Sequence, residues 1–244
     1  GTNAGSAYVF ERQVDGTWLE TAKLTAGDAA GYQFFGEHVS LHAEVAVVGC
    51  PYDDEIATHA GCAYVFARQV DGSWQQAAKL LPDDGAAADW FGLSGDVHDG
   101  VVMIGAPYDD GVGLESGSVY VFDEQLDGSW IQTGKLIAAD QWSDDQFGWS
   151  VSLNGEFALI GAPFDDDVGL DSGSAYIFAL QDGGAWTQAS KHTASDGDAY
   201  DRFGISVDLQ SGAGVIGAHL DNDGGTDAGS AYILAQEAGG YWQG

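Results

Sequence analysis

Gly5-Ser-Ala-Tyr-Val-Phe10 decides how this chain folds, because it keeps returning. It reappears as Gly61-Cys-Ala-Tyr-Val-Phe66, Gly117-Ser-Val-Tyr-Val-Phe122, Gly173-Ser-Ala-Tyr-Ile-Phe178 and Gly229-Ser-Ala-Tyr-Ile-Leu234, always at a step of 56 residues. Trp18, Trp74, Trp130, Trp186 and Trp242 keep the same interval, as do Phe35-Gly36, Phe91-Gly92, Phe147-Gly148 and Phe203-Gly204. A fourth column reads Gly49-Cys50-Pro51, Gly105-Ala106-Pro107, Gly161-Ala162-Pro163 and Gly217-Ala218-His219. A fixed period of this length marks a stack or ring of like supersecondary units.

Each unit carries four strand-like runs. In the third, Phe147 to Leu153 alternates in character, and Phe157 to Ile160 is continuously apolar, as in a strand covered on both faces. Ser174 to Phe178 puts Tyr176 and Phe178 on one face and Ala175 and Ile177 on the other, while Trp186 to Lys191 is polar enough for an edge. Asp15-Gly16, Asp71-Gly72, Asp127-Gly128 and Gly183-Gly184 sit where the third strand must turn into the fourth, and Asp-Gly accepts the positive φ of a tight hairpin. The reading is all-β: a β-propeller of four-stranded antiparallel blades, with a partial blade over residues 1–24 and full units starting near 35, 91, 147 and 203. No linker interrupts the 244 residues, so one domain is expected.

Phe-Gly opening the unit, Gly-Ala-Pro closing its second strand and Gly-Ser-Ala-Tyr-Val-Phe opening its third resemble the FG-GAP repeat, which builds the propeller of integrin alpha chains and of many secreted proteins. The resemblance implies a propeller, and an extracellular module serving adhesion or structure. It departs in one respect. Integrin-type units hold an Asp-rich calcium loop between Phe-Gly and Gly-Ala-Pro, where this chain has only His42-Ala43-Glu44, His98-Asp99-Gly100 and Asn154-Gly155-Glu156. Four full units also fall short of the usual ring, so the expectation is a fragment, a small ring, or assembly head-to-tail through the incomplete terminal blades.

Charge narrows the partners. There are 38 acidic residues against 7 basic ones, a net −31, which disfavours phosphate backbones and anionic membrane surfaces. No apolar run approaches the ~18 residues of a membrane span, so no direct membrane insertion is expected. Antiparallel topology places the second-to-third-strand loops and the blade-to-blade loops at one end, and well over half of the acids fall in those loops. Asp28, Asp84, Asp140 and Asp196 form one column; Asp53, Asp109, Asp165 and Asp221 form another. Asp closes turns by accepting backbone N–H bonds, and clustered carboxylates also suit Ca²⁺, which takes 6–8 oxygens. The cation reading assigns Asp53, Asp109, the Asp165–Asp167–Asp171 set and the Asp221–Asp223–Asp227 set as metal ligands. Lys23, Lys79, Lys135 and Lys191, just before the acidic loops, are expected to pair with carboxylates there.

Cys50 and Cys62 replace an Ala and a Ser in one unit only, flanking one loop, which suggests a disulfide and an oxidising, extracellular setting; two buried small residues are the alternative. No Ser-His-Asp or Cys-His arrangement recurs and no phosphate loop is present, so a non-catalytic protein is expected. Partners would be other extracellular proteins, copies of itself, or glycans. Trp90 and Trp142 lie outside the Trp column, in acidic-end loops, and either stack on a sugar ring or fill gaps between blades.

Overall fold

The computed structural model describes residues 2–237 and 240–243. It contains five antiparallel sheets. The first is the pair β1 (Ala7–Arg12) and β2 (Trp18–Leu24). Next come four-stranded sheets of β3 (Val39–His42), β4 (Val45–Cys50), β5 (Cys62–Arg68) and β6 (Trp74–Leu80), and of β7 (Ser94–His98), β8 (Val101–Ala106), β9 (Ser118–Glu124) and β10 (Trp130–Leu136). Then follow β11 (Ser150–Leu153), β12 (Phe157–Ala162), β13 (Ser174–Leu180) and β14 (Trp186–His192), and finally β15 (Phe203–Gln210), β16 (Ala213–Ala218), β17 (Ser230–Gln236) and β18 (Trp242–Gln243). These are propeller blades arranged as an open arc, with strands running in chain order from the axis outward.

Alternation within each third strand explains why blades stack. Tyr176 and Phe178 face back onto Phe147 and Val121 of the preceding region, whereas Ala175 and Ile177 face forward onto Phe203, Ile216 and Leu234. The same two-sided packing repeats at Ala63 and Val65, which meet Phe91, Tyr120 and Phe122. Fully burying each large side chain contributes roughly 1.5–3 kcal/mol. The second strands β4, β8 and β12 are buried along nearly their whole length, and the fourth strands alternate, as edges do.

The first strand of the third unit starts later than its alternation suggests, at Ser150 rather than Phe147. Gly148 has φ +90°, and Phe147 is held by a bond from its N–H to Ser116 O of the preceding unit (2.9 Å). Phe-Gly is thus an inter-blade latch, which also makes parallel bridges at Gly61–Phe91 and Gly117–Phe147. Its partner must be glycine: Gly117 has φ +85°, and a Cβ there would lie 2.1 Å from Phe147 O.

The inner strands line a cavity of about 690 Å³. Along it, Ser40 donates to Asp96, Leu153 N–H donates to Asp96 Oδ2 (2.8 Å) and Leu209 N–H to Ser152 Oγ (3.0 Å), stitching each unit to the next.

Candidate functional site: the acidic rim

The two acidic columns do meet at one end, and the lysine column sits between them. Lys79 Nζ lies 2.8 Å from Asp28, 3.0 Å from Asp53 and 2.7 Å from Glu55. Lys135 Nζ contacts Asp84 (2.7 Å) and Asp109 (3.0 Å). Lys191 Nζ contacts Asp140 (2.8 Å), Asp165 (2.8 Å) and Asp167. The repeated tyrosine completes the clamp. Tyr120 OH lies 2.8 Å from both Asp84 and Asp109, which share its one proton, and Tyr176 OH donates to Asp165 (2.9 Å). Each ammonium also lies 4.9–5.3 Å from that tyrosine's ring centre.

Turn chemistry accounts for the remaining carboxylate oxygen. Asp53 Oδ1 accepts Glu55 N–H (3.0 Å), Asp109 Oδ1 accepts Gly111 N–H (2.9 Å), Asp165 Oδ1 accepts Asp167 N–H (3.0 Å) and Asp221 Oδ1 accepts Asp223 N–H (2.8 Å). These four aspartates are 1–4% exposed, and each is a buried charge with a donor on both oxygens. Burial disfavours the Lys191 ammonium, yet Asp140, Asp165 and Asp167 outweigh it and hold its pKa above the ordinary value. Burial likewise pushes up Asp140, but Lys191 more than offsets this and leaves the carboxyl below its usual range.

This geometry differs from the calcium-ligand expectation in the first three units. Asp165 and Asp167 converge on Lys191, so an ammonium stands where Ca²⁺ was expected. Asp171 does not join them; its φ is +51° and its carboxylate points to Arg202 at 3.9 Å. Asp53 and Asp109 are engaged by Lys79 and Lys135 in the same way. In the fourth unit Tyr232 OH binds Asp196 (2.9 Å) and Asp221 (2.7 Å), and Asp227 N–H turns to Asn222 Oδ1 (2.8 Å). Among the described residues no ammonium reaches this last group, and Asp223 is pushed above the usual carboxylate range by Asp221 and then Asp196.

A third acidic column also packs here. Asp89 and Asp145 are buried 3–5% exposed, accepting Ala86 N–H and Trp142 N–H (2.6 Å each). Burial first, offset in part by that N–H and reinforced by Asp109 or Asp165, lifts Asp89 to about 6 and Asp145 to about 7. The equivalent residue of the first unit is Gln33, whose amide donates to Asp53 Oδ2 (2.7 Å).

Trp90 belongs to an aromatic arc on this rim. Phe34 packs on Tyr52 (5.0 Å between ring centres), Tyr52 on Trp90 (5.0 Å) and Trp90 on Tyr108 (4.5 Å). Tyr108, Trp149 and Phe164 continue it, and Arg202 caps Phe164 at 4.6 Å. Trp142 stands apart, 76% exposed. Cys50 and Cys62 face each other in register across β4 and β5, both fully buried, and in the structure they are thiols with no bond between them. Burial, and then Cys50, push the Cys62 thiol well above its ordinary range. The sequence reading passed over His42 and His98, which the fold brings into ring contact at 4.0 Å. The signal was their shared 56-residue column.

The FG-GAP repeat family matches residues 18–66, 74–122, 130–178 and 186–234. The chain belongs to the FG-GAP repeat family. No curated protein matches it. A solved protein of Lactobacillus plantarum is similar at a TM-score of 0.54 and 14% identity, over 99% of this chain and 64% of that one. The structure of Saccharomyces cerevisiae Sqt1 gives a TM-score of 0.46 and 13% identity, over 77% of this chain and 43% of that one. This chain thus spans less than two thirds of either. The likeness to the Lactobacillus plantarum protein, at such identity, concerns the fold and nothing finer. Among the described residues no helix is long and apolar enough to cross a membrane.

Proposed function

We propose that this FG-GAP propeller is a non-catalytic extracellular module for adhesion or structural contact, and that its acidic rim is the surface that meets other proteins. The observation that carries this reading is the tiering of the rim. An inner layer of aspartates is consumed by lysine and tyrosine clamps, which fixes the loops. An outer layer including Asp54, Asp110 and Asp166 stays exposed on those fixed loops. A rigid carboxylate surface favours a basic protein partner through steering and charge complementarity.

The test is to neutralise the outer tier without disturbing the loops. Asp54, Asp110 and Asp166 each cap a backbone N–H five residues on, a task Asn222 performs in the fourth unit. The triple change to Asn therefore keeps the turns and removes three charges. Binding to cells or to a basic protein surface should weaken and lose salt sensitivity. Unchanged binding refutes the rim as the contact surface. Ca²⁺ remains part of the proposal at the Asp196–Asp221–Asp223 group, which a chelator-dependent fall in melting temperature would support. Head-to-tail assembly is proposed on the exposed Tyr8 and Phe10 at one end and Ile233 and Val215 at the other, since their counterparts pack together inside the arc. Light scattering across concentration tests it.

A second reading, a carbohydrate-binding propeller, is favoured by the aromatic arc beside carboxylates, because sugar rings stack on such faces. A glycan array with Trp90→Ala and Trp142→Ala separates it from the first.

A further inference from the structure

At the cavity mouth opposite the acidic rim, His42 ends β3 and His98 ends β7, one repeat apart. Their rings lie 4.0 Å apart between centres. Asp99, in the tight turn after β7, places Oδ1 3.0 Å from His42 Nε2 and Oδ2 3.6 Å from His98 Nε2. One donor atom from each of the three residues lies within 4.8 Å of the other two. We propose that His42, His98 and Asp99 form a binding site for one divalent transition-metal ion of the Zn²⁺ class, bridging the first two full units.

The donor set selects the ion. Two imidazole nitrogens and a carboxylate oxygen suit Zn²⁺ and its neighbours, whereas Ca²⁺ takes oxygen ligands alone. Tetrahedral Zn²⁺ with bonds of about 2.0–2.1 Å needs donors spaced by roughly 3.4 Å; the two imidazole nitrogens lie 3.0 and 3.6 Å from one or other oxygen of Asp99, and one donor from each residue lies within 4.8 Å of the others, so small side-chain rotations suffice to close the set. Both imidazoles sit at the ends of paired strands, so little ordering remains to be done on binding. Each histidine side chain is about one-third exposed or less and Asp99 is 78% exposed, which leaves an approach for the ion and a fourth position for water. A net charge of −31 raises the local concentration of any cation. The site is specific to these units, since the same column holds Asn154 and Gln210 later in the chain. Among the described residues the other close donor group, Cys50–Asp53–Cys62, is sealed from solvent, and Asp53 there is already bound to Lys79.

The test is calorimetric titration of the full chain with Zn²⁺ in a large excess of Ca²⁺, which occupies the ordinary carboxylates. One saturable site per chain is expected. His98→Asn, which installs the third unit's residue, should weaken it at least about 100-fold, since loss of outer-shell partners alone costs 10–100-fold. Cys50→Ala with Cys62→Ser should leave it intact. Asp99→Asn, at an exposed turn, supplies a second variant that keeps the fold and should weaken binding, and Zn²⁺ should shift the ring resonances of two histidines only. Absence of a saturable site, binding unchanged in His98→Asn and Asp99→Asn, or binding lost with the cysteines overturns the proposal and leaves the cluster as a hydrogen-bonded staple between units.

Discussion

Asp145→Gln makes the third unit imitate the first. Gln33 accepts Ala30 N–H (2.7 Å) with Oε1 and donates to Asp53 Oδ2 (2.7 Å) with Nε2, whereas Asp145 accepts Trp142 N–H and crowds Asp165 with a second acid. Burial and Asp165 raise the folded Asp145 from 3.8 to about 7. A raised carboxyl favours folding where it keeps its proton. That contribution is complete below 3.8 and is lost as pH rises through about 7. The gap of about 3 on the pH scale corresponds to at most about 4 kcal/mol, and screening by the surrounding rim reduces it to about 2 kcal/mol. Gln carries no charge and restores a donor to Asp165, worth about 1 kcal/mol. At pH 8.5 the variant should therefore be more stable by about 2–3 kcal/mol, a rise in melting temperature of roughly 4–10 °C for a chain of this size. At pH 5, part-way between 3.8 and about 7, roughly a third of the electrostatic advantage should remain, and below pH 3.8 only the hydrogen bond. Thermal unfolding of both proteins from pH 5 to 9 measures this, with Asp145→Asn as the neutral variant too short to reach Asp165. An advantage that is flat with pH, or that grows as pH falls, would refute the reasoning.

Lys191→Met leaves Asp165 buried without its ammonium and should cost about 3–5 kcal/mol, read as a lower urea midpoint at unchanged slope. Gly117→Ala forces a Cβ onto Phe147 O at a position of φ +85°, so it should destabilise by more than about 1 kcal/mol, whereas Gly128→Ala, with φ +81° but open space around it, should lose only the backbone strain. Thiol counting of protein purified without reductant, with intact mass before and after reduction, decides Cys50 and Cys62. A disulfide should remove both thiols and two mass units and contribute about 2–3 kcal/mol, while two titratable thiols after unfolding leave them as small buried residues.

Much of this was legible in the sequence because a propeller blade repeats its physics at a fixed interval. The columns located the sheets, the third strand's alternation located the two blade faces, and the lysine column foretold the clamps at Asp53, Asp109 and Asp165. What failed to transfer depends on where individual loop residues point. Asp171 stands seven positions into an Asp-rich loop that reads like a cation site, yet its backbone is left-handed and its carboxylate meets Arg202. The aromatic arc draws on three different columns, so no single one announces it. His42 and His98 look isolated because ligand spacing is sought within one loop or helix, and here the radial arrangement of units brings together residues a full period apart. Phe147 reads as strand because its alternation continues that of β11, but a glycine at φ +90° turns the chain there.

The stitch from each Phe-Gly latch to the preceding sheet has an evolutionary corollary. Every junction inside the arc joins the same front to the same back, so in-frame duplication or deletion of a whole 56-residue cassette would preserve every remaining seam. An indel of another length that falls within a seam would break it. Lineages carrying this array should therefore vary in cassette number far more readily than in cassette length.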